Sequence, residues 1–247
     1  MPPYKVLIAG DTGLVIEFGD GVDRQLSAWV LALARRLNEA RIEGVTETVP
    51  TFRSLMVYYD PIVLASTALV ARIVELMEGV RPTKQAGRLW QLPVCYDSEL
   101  APDLGDVAAR TGLTCAAVVE RHAAIVYHVY MLGFLPGLAY LGDVPEALAL
   151  PRREAPRTRI PAGSVAIAMS MSCIFPRESP SGWHVIGRTP IPLWYQREGG
   201  ECGPLLAPGD KVEFVPISAR EYEDILVDVA DGRLTITPIE HAKDIAA

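Results

Sequence analysis

Apolar residues recur along the first eighty positions with two different periods. Tyr4 to Ile8 and Leu14 to Phe18 are short β-favouring runs separated by Gly10-Asp11-Thr12-Gly13, a turn composition. Leu26, Trp29, Val30, Leu33 and Leu37 then follow at steps of three and four, which places them on one face of a helix. Glu43 to Pro50 and Ser54 to Tyr59 predict two further strands. Asp60-Pro61 breaks the second of these and opens a helix whose stripe is Val63, Val70, Ile73 and Met77. The expected unit, residues 1–80, is an α+β domain with two helices on one side of a small sheet.

Gly79 to Gly87 holds Pro82, Lys84 and Gln85 without periodicity, and the linker is expected over residues 81–90. Beyond it the pattern changes. Leu92 to Tyr96 predicts a strand, and Asp103 to Arg110 and Thr114 to His122 predict short helices. From Ile125 onward the chain consists of short β-like runs cut by Gly and Pro: Val126 to Met131, Val165 to Met169, Trp183 to Gly187, Pro192 to Tyr195, Lys211 to Val215 and Arg233 to Pro238. Strands this short, with turn signals between them, predict a barrel or sandwich over residues 91–240.

Composition narrows the function classes. Half of the 247 residues are hydrophobic and 21% are charged, enough to build a core. The net charge of -7 speaks against nucleic acid as a partner, because phosphate contacts need a basic face. The apolar run behind Met1 is too short for a signal peptide, and charges such as Arg35, Arg36 and Arg72 interrupt the helical segments, so no membrane association is expected. Cys95, Cys115, Cys173 and Cys202 form no Cys-x-x-Cys pair, so neither zinc nor a disulfide framework is expected, and a reduced cytoplasm is the default location.

Three segments are unusual for scaffold. Gly133 to Gly142 packs three glycines and a proline into ten residues, a loop able to approach a ligand or another backbone closely. Pro151 to Val165 carries Arg152, Arg153, Arg157 and Arg159 between prolines. Guanidinium groups fork onto carboxylate or phosphate, so an acidic ligand and a solvated, locally paired loop stand as equal readings. Ser179 to Pro190 gathers Trp183, His184, Arg188 and Thr189 around one strand, with Arg188 and Thr189 at its end, a frequent place for ligand contacts. Ser164 lacks the Gly-x-Ser-x-Gly frame of a nucleophile elbow and reads as a strand-entry serine. His122 ends a helix, His128 shares a face with Val126 and Tyr130 as a structural histidine would, and His241 is in a polar tail. No two histidines have metal-ligand spacing, and neither Gly-x-x-x-x-Gly-Lys-Ser/Thr nor Gly-x-Gly-x-x-Gly occurs.

At these segments the sequence resembles the family of KipI, the 5-oxoprolinase B-type chain and allophanate hydrolase subunit 1. The hallmark stretch is carried by His122, Tyr127, Val129, Gly133, Phe134, Pro136, Gly137, Tyr140, Leu141 and Gly142. Pro151 to Arg153, Pro156-Arg157, Pro161 to Val165 and Ser179 to Pro190 continue it. The resemblance implies a cyclophilin-like β-barrel domain behind the N-terminal α+β domain. It also implies a KipA/subunit-C-type partner and, with an A-type lactam-utilisation protein, an ATP- and magnesium-dependent conversion of 5-oxoproline to glutamate. Under that resemblance Arg157, Arg159 and Arg188 come first as anion-binding candidates, with Ser164, Thr189, Phe134, Pro136 and Gly137 beside them and His122 as acid or base. Two other roles are open within it: a binding module that inhibits a sensor histidine kinase, and an allophanate- or urea-related carboxyltransferase component.

One departure bears on substrate. Where the family continues from Pro-Ala-Gly-Ser-Val into a glycine-rich stretch and Gln-Thr-Gly-Ile-Tyr-Pro, this chain has Ala166 to Pro176, rich in Met and Ser. Loss of hydrogen-bonding groups at a site changes specificity sharply, which leaves open a different amide or a loss of activity.

Overall fold

The computed structural model describes residues 1–82, 87–196, 202–234 and 236–239. The chain separates into two compact units, Met1–Ala86 and Gly87–Ala247.

The first unit contains β1 (Tyr4–Ile8), β2 (Gly13–Phe18), α1 (Arg24–Ala40), β3 (Val45–Pro50), β4 (Ser54–Tyr59) and α2 (Ser66–Glu78). Its strands form an antiparallel sheet in the order β1-β2-β4-β3. Leu14, Ile16 and Phe18 alternate with partly exposed residues and join Leu55 and Val57 in a core completed by Val30, Leu33 and Leu37 of α1 and Leu69, Ile73 and Met77 of α2. Asp23 caps α1 by accepting from the Gln25 and Leu26 amides, so the helix begins two residues before its apolar stripe. The stripe expected for α2 is corrected at Val63. That residue is 53% exposed and precedes the helix. The Asp60 carboxylate accepts from the Ile62 amide, and its carbonyl accepts from the Val63 and Leu64 amides, closing a separate turn.

The second unit contains β5 (Leu89–Cys95), α3 (Leu104–Thr111), α4 (Cys115–Ala123), β6 (Val126–Leu132), β7 (Ala139–Gly142), β8 (Arg157–Ile160), β9 (Ser164–Ala168), β10 (Met171–Ile174), β11 (Ser179–Ser181), β12 (His184–Arg188), β13 (Trp194–Gln196), β14 (Cys202–Pro204), β15 (Lys211–Ile217) and α5 (Ala219–Ala230). Seven strands close a barrel in the order β10-β7-β6-β15-β5-β12-β9. β5 and β15 pair in parallel and the other neighbours are antiparallel. Leu89 and Trp90, inside the expected linker, open β5. Thr83 to Ala86 lie outside the described residues.

Val165 and Ile167 of β9, Ile174 of β10 and Ile186 of β12 point into the barrel core with Trp90, Leu92, Tyr127 and Phe214. Ser164, Ala166 and Ala168, on the other face of β9, are just as buried. A half-covered strand alternates buried and exposed residues, so a strand buried at every position has a second layer over its outer face. That layer is supplied by the 150–160 segment and the two-stranded ribbon β8–β11, in which Ser179 faces Ile160 and Ser181 faces Arg157.

The sequence pattern predicts a strand at Arg233 to Pro238 and no helix before it, and both are corrected. The described residues there hold no strand; Ile239 makes an isolated bridge with Leu89. α5 begins at a capping box, with Ser218 accepting from the Glu221 amide and Glu221 accepting from the Ser218 amide. The Ser-x-x-Glu spacing signals this helix in the sequence. His241 lies outside the described residues.

Candidate functional site

The three glycine- and proline-punctuated segments meet on the outer face of the barrel. Between that face and the overhanging ribbon is a cleft of about 140 Å³. Phe134, Leu138 and Tyr140 enter it from the glycine-rich loop and β7; Arg152 enters from the arginine segment. Pro180, Ser181, Gly182 and Trp183 form the opposite wall, and Cys173 and Phe175 form the floor. β10 places the floor, since Cys173 pairs across from Tyr140 on one side and Ala166 on the other. The Tyr140 and Trp183 rings meet edge to face at 5.9 Å. The Ser181 hydroxyl oxygen accepts from the Trp183 amide at 3.0 Å, which leaves its own proton to donate.

Electrostatically the cleft is a cation over a mostly apolar bed. Burial drives the Cys173 thiol well above its ordinary pKa, against the opposing pull of the Arg152 guanidinium, so it is a neutral group. Burial likewise raises the Tyr140 phenol, Cys173 adds to the rise, and Arg152 opposes it. Among the described residues no carboxylate lines the cleft. Among the described residues no group of three or more His, Cys, Asp or Glu is placed to hold a metal ion.

The four arginines of the second segment divide by partner. Arg153 and Arg157 both donate to Asp103, whose side chain is 2% exposed. Arg159, 76% exposed, donates through Nε to Glu178 at 2.9 Å. Arg152 has no carboxylate partner among the described residues and lies at the cleft. The resemblance puts Arg157 and Arg159 first and does not single out Arg152, because the sequence does not show which arginine has a counterion.

Arg188 ends β12 opposite Ser164 of β9, and the Ser164 carbonyl accepts from the amide of Phe175 in the cleft floor. It is half-buried, its Nε is buried without a hydrogen-bond partner, and its guanidinium lies beside the Tyr222 hydroxyl of α5. Arg188 is thus one strand-row from the cleft and outside its lining. Ser164 is buried and its hydroxyl donates to the Pro161 carbonyl at 2.8 Å. Thr189 is buried, with its amide on the Gly163 carbonyl and its hydroxyl oxygen accepting from the Ile191 amide. Gly163 has φ +77°, and a Cβ there would stand 2.3 Å from the Thr189 carbonyl oxygen, so the Pro-Ala-Gly-Ser turn needs glycine for close approach. Phe134 is 66% exposed at the cleft rim with φ +68°, an unusual conformation for an aromatic residue. Pro136 is exposed beside it, and Gly137, at φ +82°, packs on the Leu193 carbonyl and the Trp194 ring.

His122 lies inside the barrel, away from the cleft. It is 0% exposed and stacks on Phe214 with ring centroids 4.8 Å apart. Ser172 donates its proton to the Ala166 carbonyl, so its oxygen accepts from His122 Nε2–H at 3.3 Å, and Nδ1 accepts from the Tyr96 hydroxyl at 2.9 Å. Burial pushes its pKa down to about 3. An enclosed neutral imidazole with both nitrogens engaged organises the core; general acid–base work requires reach to a ligand. His184 is also buried, its Nε2 donating to the Pro151 carbonyl at 2.9 Å.

Residues 4–202 match the family of the carboxyltransferase domain, subdomain C and D. The B-type chain of 5-oxoprolinase from Bacillus subtilis is 35% identical over 233 residues, covering 89% of this chain and 95% of the relative. The chain belongs to this family, in its group of 5-oxoprolinase B-type chains. Two solved structures are similar to this chain. TTHA0988 is 36% identical with a TM-score of 0.74, over 84% of this chain and 40% of its own length. The urea amidolyase of K. lactis, 21% identical, shares the fold alone, with a TM-score of 0.80 over 97% of this chain and 16% of that longer protein. The cleft floor residues Cys173 and Phe175 fall within the Ala166 to Pro176 segment.

Proposed function

We propose that the chain is the B-type component of an ATP-dependent 5-oxoprolinase-type lactam hydrolase, acting with a KipA/subunit-C-type protein and an A-type lactam-utilisation protein to convert 5-oxoproline to glutamate. The observation that carries the reading is the position of Arg152: a cation free of carboxylate partners among the described residues, over a small cleft walled by Tyr140 and Trp183. A guanidinium fork matches the 5-oxoproline carboxylate, and flat aromatic walls match a small ring. The Ser181 proton is available to the lactam oxygen. In this scheme the chain binds and orients the lactam through Arg152, while Arg188 lies outside the cleft lining. The cyclophilin-like description of the barrel, and its standing as a separate domain, belong to the same proposal.

ATP with magnesium does not fit this cleft. At about 140 Å³ it is too small for a nucleoside triphosphate, and among the described residues its lining offers no carboxylate to the metal. The nucleotide is therefore placed outside this cleft.

The test is ATP-dependent glutamate release from 5-oxoproline by the reconstituted complex. Arg152→Ala removes a charge-assisted hydrogen bond worth about 1.5–3 kcal/mol, so KM should rise about ten- to a hundredfold. No turnover from a stable complex, or an unchanged KM in the variant, refutes the assignment.

A further inference from the structure

Asp103 stands at the start of α3, where an aspartate ordinarily turns its side chain onto the helix's first amides, yet it makes no such bond. The carboxylate is directed elsewhere. Oδ1 accepts from Arg153 Nη1 at 2.6 Å and from Arg157 Nη2, and Oδ2 accepts from the Val185 amide at 2.8 Å and from Arg157 Nε at 3.4 Å. The Asp103 amide donates to the Val185 carbonyl at 3.0 Å.

These donors lie outside the cleft lining but in the segments that carry Arg152 and Trp183 to it. Arg153 adjoins Arg152, Arg157 opens the overhanging ribbon, and Val185 lies two residues past Trp183. We infer that Asp103 is a positioning residue for the cleft: it fixes the Arg152 guanidinium and the Trp183 ring relative to each other, and so sets ligand affinity without touching the ligand. The inference rests on the reading of the cleft as the ligand site.

The physical reason is the burial of the charges involved. The Arg153 and Arg157 side chains are 24% and 35% exposed, and Arg153 Nε is already buried without a partner. Removing the shared counterion while keeping the shape, as in Asp103→Asn, leaves two half-buried cations uncompensated. Their cheapest relief is to turn toward water, which carries the 152–157 segment away from Trp183. A displacement of the order of 1 Å at a site is enough to cost about a hundredfold in binding or rate.

The experiment compares Asp103→Asn and Arg152→Ala in the reconstituted complex, with KM and kcat for the lactam measured separately. The expected result is a KM raised about tenfold or more in both, with kcat in Asp103→Asn within about threefold of the parent. Trp183 fluorescence of the ligand-free Asp103→Asn protein should shift to the red as the ring becomes wetter. If Asp103→Asn fails to fold, Arg153→Met, which leaves Asp103 paired to Arg157, should raise KM by a smaller factor. An unchanged KM in the folded Asp103→Asn or Arg153→Met complex, alongside a raised KM in Arg152→Ala, overturns the positioning role and leaves the cleft as the site. An unchanged KM in Arg152→Ala removes the cleft reading and this inference with it.

Discussion

Protonating His122 should destabilise the barrel, and the size of the effect follows from its surroundings. The folded pKa is about 3 and the ordinary value is 6.5, with burial as the cause. A lowered histidine pKa means that the unfolded chain binds the proton more tightly. The stability is therefore fully present above pH 6.5 and is lost as pH falls toward 3. Each unit of pH inside that window costs about 1.4 kcal/mol, so moving from pH 7.5 to pH 5 should cost about 2 kcal/mol. The assay is urea unfolding at the two pH values for the parent and for His122→Gln, which cannot titrate there. The variant loses stability outright, because the stacking on Phe214 and the bond to Tyr96 are altered, but its pH dependence should be flatter by about 2 kcal/mol. Parallel pH profiles would refute the claim that His122 is held neutral. The same result bears on chemistry, since a group that stays neutral from pH 5 upward cannot produce an activity limb near neutrality.

Two further predictions concern what holds the barrel. The Asp210 side chain, 6% exposed, accepts from Trp90 Nε1 and the Ala207 amide at 3.0 Å each and from Arg88 Nη2 at 2.7 Å; Asp210→Ala strands the buried indole N–H and should cost about 3 kcal/mol in chemical denaturation. Met169, between β9 and β10, has φ +52° and is half exposed, so Met169→Gly should raise stability by a few tenths to about 1 kcal/mol; a loss of stability would show the turn is unstrained.

Much of the fold is legible in the sequence because its elements are short and locally determined. The period of α1, the alternation in β2 and β4 and the Gly/Pro punctuation of the second unit come from neighbours a few residues apart. Val63 is misread because it falls in phase with the α2 stripe; an Asx turn at Asp60, a local bond that competes with the helix, decides otherwise. α5 is missed for a different reason. Its stripe, Tyr222 with Ile225 and Val229 packed on the core, is blurred by the exposed Leu226 and Val227 beside it, and the capping box is the clearer signal.

The site is legible as segments and not as residues. Glycine, proline and arginine densities point to the three stretches that converge on the cleft, since close approach and fixed turns leave compositional traces. Which arginine is available depends on where the carboxylates fall. Asp103 lies 54 positions before Arg157 and Glu178 lies 19 after Arg159, distances at which sequence pattern carries no pairing information. The same logic limits what the departure at Ala166 to Pro176 means. Most of that segment is buried strand, and its contributions to the cleft are Cys173 and Phe175, both in the floor. Arg152 comes from another segment and is untouched by it, while Ser181 stands where the resembled pattern has glycine. The altered segment therefore changes the surface met by the body of a ligand, while the group that would recognise an anion stays in place.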